Sequence, residues 1–244
     1  MRYLITGAKG FIGRNLVARL RQEGGDNLYC YDIDNSPEEL EEWLLKCDGI
    51  FHLAGVNRPK QESEFEPGNA GFTAHILHIL EIRKRQPAFV MTSSIQAEKA
   101  SPYGTSKLHA EQSLASFADA RRLPAATCRL KNVFGKWCRP NYNSVVATFC
   151  HNIANDLSIE ISDPSKDIEL VYIDDVVSML IESMRQLLAG GNPVGDSSNY
   201  VIKDNMPSHH ISLGDLAGRL QFFHKMNESL LIPDFAVTFN RQLY

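Results

Sequence analysis

A tyrosine and a lysine four positions apart, Tyr103 and Lys107, have the residue types and the spacing for acid–base chemistry. Residues at this spacing share one face of a helix. The pKa of an isolated phenol is about 10, and a neighbouring ammonium group favours the phenolate and lowers that pKa. We therefore predict that Tyr103 is a general acid or base and that Lys107 tunes it.

Two hydroxyl residues, Ser93 and Ser94, precede this pair at the end of a short apolar run. A serine in that position can hold a substrate carbonyl oxygen while Tyr103 protonates or deprotonates it. The alternative is that both serines cap the end of a strand. The sequence does not separate Ser93 from Ser94, so both are predicted catalytic candidates.

A glycine-rich segment at residues 6–13 follows the first apolar run and opens the first amphipathic one. Glycines in that context allow a tight turn, a close approach of a pyrophosphate, and close packing of helix on strand. Free N–H groups at a helix start, at the positive end of its dipole, bind phosphate oxygens. The segment therefore predicts a dinucleotide-binding loop, with cofactor-binding residues Gly7, Lys9, Gly10, Phe11, Ile12 and Gly13.

The acidic residue Asp32 follows the second apolar run. A carboxylate there can accept hydrogen bonds from ribose hydroxyls and would repel a 2′-phosphate, which favours NADH over NADPH. It can also be a solvated loop acid or a cap for the helix that begins at Pro37. Arg14, beside the glycine loop, is able to partner a 2′-phosphate, so the sequence leaves both coenzymes open.

These residues need a scaffold, and the first 135 residues alternate short apolar runs with longer amphipathic runs, as a parallel sheet flanked by helices does. Predicted strands span residues 2–6, 27–31, 49–53, 88–92 and 125–130, and predicted helices span residues 11–22, 68–85 and 103–121, with another starting at Ser36. Further on, we predict helices at 141–154, 174–188 and 212–226, a strand at 169–173 and a loop at 190–198. The fold class is α/β, a Rossmann-type doubly wound parallel sheet with a small C-terminal substrate-binding lobe. We expect one domain over 1–244, with the dinucleotide-binding core mainly in 1–135 and the lobe mainly in 136–244.

Composition excludes several classes of protein. A chain of 244 residues with 43% hydrophobic residues is not disordered, and a net charge of −4 argues against nucleic-acid binding. No run approaches the ~18 apolar residues that span a bilayer, and the N-terminal apolar run is too short for a secretory signal, so we expect a cytoplasmic protein without membrane insertion. Five cysteines without a C-x-x-C pair indicate reduced thiols and no zinc site, and we read the His209–His210 pair as an exposed loop rather than a metal site.

Taken together, these residues resemble the nucleotide-sugar branch of the extended short-chain dehydrogenase/reductase family. The resemblance extends to four further segments, at residues 52–55 (HLAG), 69–73 (NAGFT), 129–135 (RLKNVFG) and 172–177 (YIDDVV). It implies that Leu53, Ala54, Gly55 and Asn69 lie at the cofactor and that Lys107 contacts the nicotinamide ribose. It also implies that Asn132 borders the sugar-nucleotide and that the protein is a homodimer.

A narrower resemblance, to capsule-biosynthesis reductases of L-fucosamine synthesis, is carried by residues 55–59, 93–97 and 134–144. It implies NADPH-dependent reduction of a UDP-linked 4-keto-6-deoxy-2-acetamido sugar at C4, to an L-talo alcohol. Substrate-binding candidates are Asn57, Arg58, Asn132, Lys136 and Arg139. Members of that group carry a metal-binding cupin domain after the reductase domain, and we expect this chain to lack it.

Three alternatives stay open: a nucleotide-sugar epimerase, a dehydratase, and a non-catalytic dinucleotide-sensing protein. In the family, a dehydratase carries an acid pair just after the strand-end serine, where this chain has Ile95 and Gln96. Relatives that couple epimerisation to reduction use a cysteine and a histidine, at positions held here by Ile95 and Val145. The presence of both Tyr103 and Lys107 favours an enzyme over a sensor.

Overall fold

Six parallel strands form the main sheet of the protein, for which a computed structural model describes residues 1–25, 27–190 and 199–244. With labels in chain order, these strands are β1 (Tyr3–Thr6), β2 (Leu28–Tyr31), β3 (Gly49–His52), β4 (Ala88–Ser94), β5 (Ala125–Leu130) and β8 (Tyr200–Lys203). They lie in the order β2-β1-β3-β4-β5-β8. The chain therefore runs to one side of β1 to form β2 and returns to the other side to form β3. Loops after β1 and β3 diverge at such a switch point and leave a crevice there.

Helices cover both faces of this sheet, as the doubly wound prediction requires. They are α1 (Phe11–Gln22), α2 (Pro37–Lys46), α3 (Phe72–Ile82), α4 (Pro102–Arg121) and most of α6 (Ile173–Leu188). One face packs Leu4, Ile50 and Phe89 of the strands against α2, α3 and α4. Alternate strand residues point the other way, and there Gly49 leaves room for Met184 of α6.

Three short helical turns complete this part of the chain. A π-helical turn, Pro67–Gly71, leads into α3, so the predicted helix 68–85 is observed as a wide turn followed by a shorter α-helix. The 3-10 turns Glu62–Glu64 and Ile95–Glu98 follow β3 and β4. The second of these turns connects Ser94 to α4.

A second, smaller sheet lies in the later part of the chain. It contains β6 (Asn132–Phe134), β7 (Asp167–Tyr172) and β9 (His209–Ser212), with β6 parallel and β9 antiparallel to β7. The accompanying helices are α5 (Val145–Ala154), α7 (Leu213–His224), α8 (Met226–Ser229) and α9 (Thr238–Leu243). A separate core forms around Phe134, Phe149 and Phe239. The prediction of a loop at His209–His210 was wrong, because both residues lie in β9.

The chain divides into two compact units, which differ from a simple split at residue 135. The first unit contains residues 1–130 and 177–205, and the second contains residues 131–176 and 206–244. The stretch from 177 to 205 belongs to the first unit because α6 covers the main sheet and β8 extends it. Most of the predicted loop at 190–198 lies outside the described residues. No helix in the described ranges is long and apolar enough to cross a membrane.

Candidate active site

The glycine loop between β1 and α1 packs directly on the residues that follow β3. Gly7 has φ +69°, and a Cβ atom there would stand 2.8 Å from the backbone nitrogen of Ala54. At Gly13 a Cβ would stand 2.2 Å from the carbonyl oxygen of Gly7. These two positions therefore require glycine for the turn and for close helix–strand packing, the roles that the spacing predicts.

The N-terminus of α1 lacks the serine cap that four other helices of the protein have. Serine side chains cap α2, α4, α5 and α7. At α1 the N-cap is Gly10, an exposed residue, and no described side chain caps the helix. The amide groups of the first turn are therefore available to an anionic group such as a diphosphate.

Asp32 lies against the glycine loop, where the sequence predicts an acid. Its Oδ2 accepts a hydrogen bond from the backbone N–H of Lys9 at 2.7 Å, and its Oδ1 accepts one from Ile33 N–H at 2.9 Å. The side chain of Lys9 forms an ion pair with Asp34, an exposed residue two positions further on. Two carboxylates thus stand beside the turn that begins α1. The helix at Pro37 is capped by Ser36, so Asp32 is not its cap.

A buried histidine links the glycine loop to the rest of the sheet. His52, 2% exposed at the end of β3, lies with Nδ1 2.7 Å from Thr6 Oγ1 and Nε2 3.0 Å from Thr73 Oγ1. Thr73 donates its own hydroxyl hydrogen to the carbonyl of Asn69, so it accepts from an Nε2–H group. Burial and, to a lesser extent, the positive charge of Lys107 together lower the pKa of His52 to about 3. The imidazole is therefore neutral.

Asn69 holds the loop after β3 to α4. Its Oδ1 accepts from Val56 N–H at 3.0 Å, and its Nδ2 donates to Val56 O at 3.0 Å and to Ser106 Oγ at 2.9 Å. Both amide hydrogens are used within the protein, and the residue is 2% exposed. This side chain therefore fixes the loop after β3, and it also lines the small cavity that Lys107 borders. Its contact with a cofactor stays a prediction.

Tyr103 and Lys107 lie one turn apart on α4, as the spacing predicts. Lys107 Nζ is 5.9 Å from the centre of the Tyr103 ring. The centres of the Phe65 and Tyr103 rings are 5.5 Å apart. Tyr103 is partly exposed. The ammonium group and the ring therefore lie on the same side of α4.

The direction of the Tyr103 pKa differs from the prediction that Lys107 makes the phenol acidic. Burial raises the pKa of Tyr103, and a hydrogen bond with Ser94 opposes that effect without cancelling it. Burial also lowers the pKa of Lys107 to about 8, against the opposing effect of Glu111. At neutral pH the phenol keeps its proton, and the ammonium group loses its own only above that range.

The two serines of β4 have different surroundings. Ser94 contacts Tyr103 and accepts a hydrogen bond from Gln96 N–H at 3.2 Å. Ser93 is 5% exposed, and its Oγ has no hydrogen-bond partner in the part of the chain that the structure describes. Because successive strand residues point to opposite faces, Ser94 lies on the side of Tyr103 and Ser93 does not.

Lys107 Nζ also borders a small cavity and the backbone at Gly55. A Cβ atom at Gly55 would stand 2.7 Å from Lys107 Nζ and 2.7 Å from Asn69 Oδ1. The cavity is lined by residues of β3, β4 and α4, among them His52, Thr92 and Lys107. Leu53 and Ala54 bond to β1, through Thr6 O at 3.1 Å and Thr6 Oγ1 at 3.3 Å. The predicted cofactor residues 53–55 therefore form one wall of the region that contains Lys107.

A buried ion pair that the sequence analysis did not single out lies one turn beyond Lys107. Glu111, 3% exposed, accepts from Arg129 Nε at 3.0 Å and from Arg129 Nη2 at 2.7 Å. Arg129 also donates from Nη1 to Glu98 at 2.6 Å. The signal was present in the sequence, because Tyr103, Lys107 and Glu111 follow each other at intervals of four.

The remaining predicted substrate residues fall in both units. Asn57 and Arg58 follow β3 in the first unit. In the second unit, Asn132 Nδ2 donates to Glu169 O at 3.0 Å, Lys136 pairs with Asp174 at 2.8 Å, and the Arg139 guanidinium lies 5.7 Å from the Tyr142 ring centre. Their contact with a substrate stays a prediction.

Comparison with known proteins gives consistent matches. A model of the NAD dependent epimerase/dehydratase family matches residues 3–195. A UDP-2-acetamido-2,6-beta-L-arabino-hexul-4-ose reductase from Pseudomonas aeruginosa is 42% identical over 244 residues, which is 100% of this chain and 63% of that protein. A UDP-glucose 4-epimerase from Mycolicibacterium smegmatis is 24% identical, in a match that covers 82% of this chain and 76% of the epimerase.

Among solved structures, the capsular polysaccharide assembling protein CapF from Staphylococcus aureus matches with a TM-score of 0.84 and 36% identity. That match covers 100% of this chain and 63% of CapF. The chain therefore spans less than two thirds of the length of the reductase and of CapF.

Proposed function

The chain belongs to the NAD dependent epimerase/dehydratase family, and we propose that within this family it is an NAD(P)H-dependent reductase of a nucleotide-linked keto sugar. The proposed substrate is a UDP-linked 4-keto-6-deoxy-2-acetamido sugar, reduced at C4 to an L-talo-type alcohol. One observation carries the proposal: the 42% identity to the arabino-hexulose reductase extends over the whole chain and so includes both units.

The glycine loop fits the diphosphate of a nicotinamide dinucleotide. Gly10 is exposed and offers no side chain, and the uncapped first turn of α1 points amide groups at the same space. Phosphate oxygens are the acceptors that such a turn binds best. Phe11, Ile12 and Gly13 would supply these amides, while Gly55 would leave room for Lys107 beside the ribose. A bound nicotinamide would supply the hydride.

Tyr103 is suited to deliver the proton that a ketone reduction requires. A phenol whose pKa is raised by burial stays protonated at neutral pH, which is the state needed in a general acid. Because Ser94 and Tyr103 are within hydrogen-bond distance of each other, a carbonyl oxygen placed there can accept hydrogen bonds from both hydroxyl groups. We therefore assign proton donation to Tyr103 and orientation of the carbonyl oxygen to Ser94. Lys107 supplies a positive charge near these two side chains.

The second unit, in this proposal, supplies contacts to the UDP-sugar. Asn132, Lys136 and Arg139 remain the candidates, and a diphosphate would compete with Asp174 for the Lys136 ammonium. Charge-assisted hydrogen bonds to phosphate are the strong class of such contacts. We further propose that the protein acts as a homodimer, which the molecular mass in solution tests.

An assay of coenzyme consumption separates reduction from the epimerase alternative suggested by the 24% identity to UDP-glucose 4-epimerase. A reductase consumes one NADH or NADPH for each UDP-4-keto sugar, and its product is heavier by two hydrogens. An epimerase returns the hydride, so the coenzyme is not consumed and the mass is unchanged. Stoichiometric consumption with the heavier product supports the proposal, whereas an isomerised sugar of unchanged mass contradicts it.

A further inference from the structure

Three ionisable side chains follow each other along one face of α4. Tyr103, Lys107 and Glu111 are separated by four residues each, which places them in one line along the helix. The first two belong to the proposed reaction centre. Glu111 is 3% exposed, and its carboxylate receives two parallel hydrogen bonds from Arg129 of β5.

Arg129 also reaches the turn that carries the other proposed catalytic hydroxyl. Its third contact is Glu98, in the 3-10 turn that begins immediately after Ser94. The backbone of that turn packs tightly on α4, because a Cβ at Gly104 would stand 2.3 Å from the carbonyl oxygen of Gln96. One guanidinium therefore ties α4, β5 and the Ser94 turn together.

A buried ion pair is not explained by stability alone. Burial of two charges removes their hydration, and apolar residues of similar volume often give equal or greater stability. We propose that the Glu111–Arg129 pair is a positioning device for Lys107: it fixes the charge next to the lysine and thereby sets the pH range in which Lys107 stays an ammonium group. The consequence for catalysis rests on the function proposed above.

The other titratable groups around Lys107 are neutral in the relevant range. From β3, His52 is uncharged because burial lowers its pKa to about 3. From β8, Tyr200 interacts with both members of the pair, and burial raises its pKa to about 12. On α4 itself, Tyr103 keeps its proton, since burial raises its pKa. In the described part of the chain, the charge that acts on Lys107 is thus that of Glu111. Arg129 pairs with that carboxylate, and Glu98 pairs with Arg129 at the exposed end.

The proposal predicts that removing Glu111 and removing Arg129 shift the pH at which Lys107 loses its proton in opposite directions. Glu111→Gln removes the anion and leaves the Arg129 cation, so Lys107 loses its proton at lower pH. Arg129→Met leaves the Glu111 anion without its partner, so Lys107 keeps its proton to higher pH. Shifts of about one pH unit are the scale expected for a charge change within a few ångströms at a partly buried site.

The experiment measures Lys107 directly and without substrate. The full chain is acylated with a limiting amount of an amine-reactive reagent across a pH series, and the Lys107 peptide is quantified by mass spectrometry. We expect the midpoint of labelling to move down in Glu111→Gln and up in Arg129→Met. Midpoints that stay at the wild-type value, or that move in the same direction in both variants, overturn the proposal.

Two controls keep the test decisive. Because loss of one partner leaves a buried charge, each single variant is expected to melt at lower temperature. The double variant Glu111→Leu with Arg129→Met removes both charges, so it should fold well and titrate between the single variants; a double variant outside that interval also contradicts the proposal. Glu81→Gln, which breaks the exposed ion pair between α3 and Arg121 of the same helix α4, should titrate like wild type.

The same variants then test the link to catalysis. With a UDP-4-keto sugar and coenzyme, the alkaline limb of kcat/KM should move in the direction of the labelling midpoint. If the variants show the expected labelling shifts but the wild-type protein does not turn the substrate over, the proposed function is contradicted and the charge coupling stands. If the variants turn over but the alkaline limb of their kcat/KM profile stays at the wild-type pH, the catalytic part of this inference is overturned.

Discussion

At the scale of single residues, the site depends on the absence of a side chain at one position. Gly55 is adjacent to both Lys107 Nζ and Asn69 Oδ1, each 2.7 Å from where a Cβ would stand. A lysine end can move away at little cost, whereas the amide of Asn69 is held by three hydrogen bonds. An added methyl group would therefore displace the ammonium first.

We expect Gly55→Ala to lower turnover more than stability. Displacement of Lys107 by about 1 Å is enough for a loss on the order of tenfold to a hundredfold in kcat/KM, while the melting temperature should change by only a few degrees. Gly218→Ala is the matched control, because a Cβ there meets nothing within 4 Å and should slightly stabilise α7. A Gly55→Ala variant with wild-type kcat/KM would show that Lys107 is not held by this contact.

Residue types and spacing predicted the Tyr103–Lys107 pair and the glycine loop, because these depend only on helix periodicity and on a short contiguous turn. They did not predict the direction of the pKa of Tyr103, since burial of the ring is a tertiary property. The proposal of Ser94 rather than Ser93 likewise needed the strand register. The bracing role of Asn69 was not predicted, because its hydrogen-bond partners lie 13 and 37 residues away in the sequence.

At the scale of elements, a row of hydrogen bonds connects β1, β3 and the start of α3 through His52. The imidazole joins Thr6 on one side and Thr73 on the other, and Thr6 also accepts from Ala54 N–H. Because Thr6 begins the glycine loop, the neutral state of His52 supports the geometry of that loop.

This connection predicts a pH dependence of stability. The unfolded-state pKa of histidine is about 6.5, and burial lowers the folded-state pKa of His52 to about 3. Its contribution is complete above pH 6.5 and is lost as the pH falls toward 3, because the unfolded chain takes up a proton that the folded chain does not. Between pH 7.5 and 5, we expect roughly 2 kcal/mol of the free energy of unfolding to be lost through this residue.

The measurement is urea unfolding at both pH values for wild type, His52→Asn and His75→Asn. The His52→Asn protein should be less stable overall but should lose less stability on acidification. His75 is exposed on α3, so its variant should follow wild type. Equal losses in all three proteins would mean that His52 accepts a proton in the folded state.

Most elements of the main sheet were predicted well, and the short strands after residue 130 were not. Helix α1 and strand β5 have the predicted bounds, because twelve and six residues are enough to establish a period. Strands β6, β8 and β9 have three or four residues each and were missed. Strands β1, β2 and β3 are as short, but each lies in an apolar run that predicts a buried strand. Pairing with β7 or β5 forms β6, β8 and β9, and that is a tertiary effect.

At the scale of the whole molecule, the two units differ in how much of each could be predicted from the sequence. The first unit could be anticipated from its regular alternation, but the return of residues 177–205 to its sheet could not, because nothing local marks a strand that pairs 75 residues away. The second unit carries predicted substrate residues whose role follows from resemblance alone.

Coenzyme choice is a property that ligand-induced stabilisation of the whole protein reports. Asp32 and Asp34 stand beside the glycine loop, and a 2′-phosphate would meet their negative charge. We expect NADH to raise the melting temperature more than NADPH at equal concentration, because stabilisation follows affinity. Asp32→Asn should reduce or reverse the difference between the two melting-temperature shifts. The control is Glu41→Gln, which removes a partly exposed carboxylate of α2 that pairs with Arg83. A larger shift with NADPH in wild type would contradict this assignment.

The account as a whole requires Tyr103 to donate the proton in a ketone reduction. The most direct measurement is the single-turnover rate of coenzyme oxidation with a UDP-4-keto-6-deoxy sugar in wild type, Tyr103→Phe, Ser94→Ala and Ser93→Ala. We predict a loss of about 10²- to 10⁴-fold in Tyr103→Phe, as for removal of a general acid, a smaller loss in Ser94→Ala, and near wild-type rates in Ser93→Ala. Turnover in Tyr103→Phe equal to that of wild type would contradict the account.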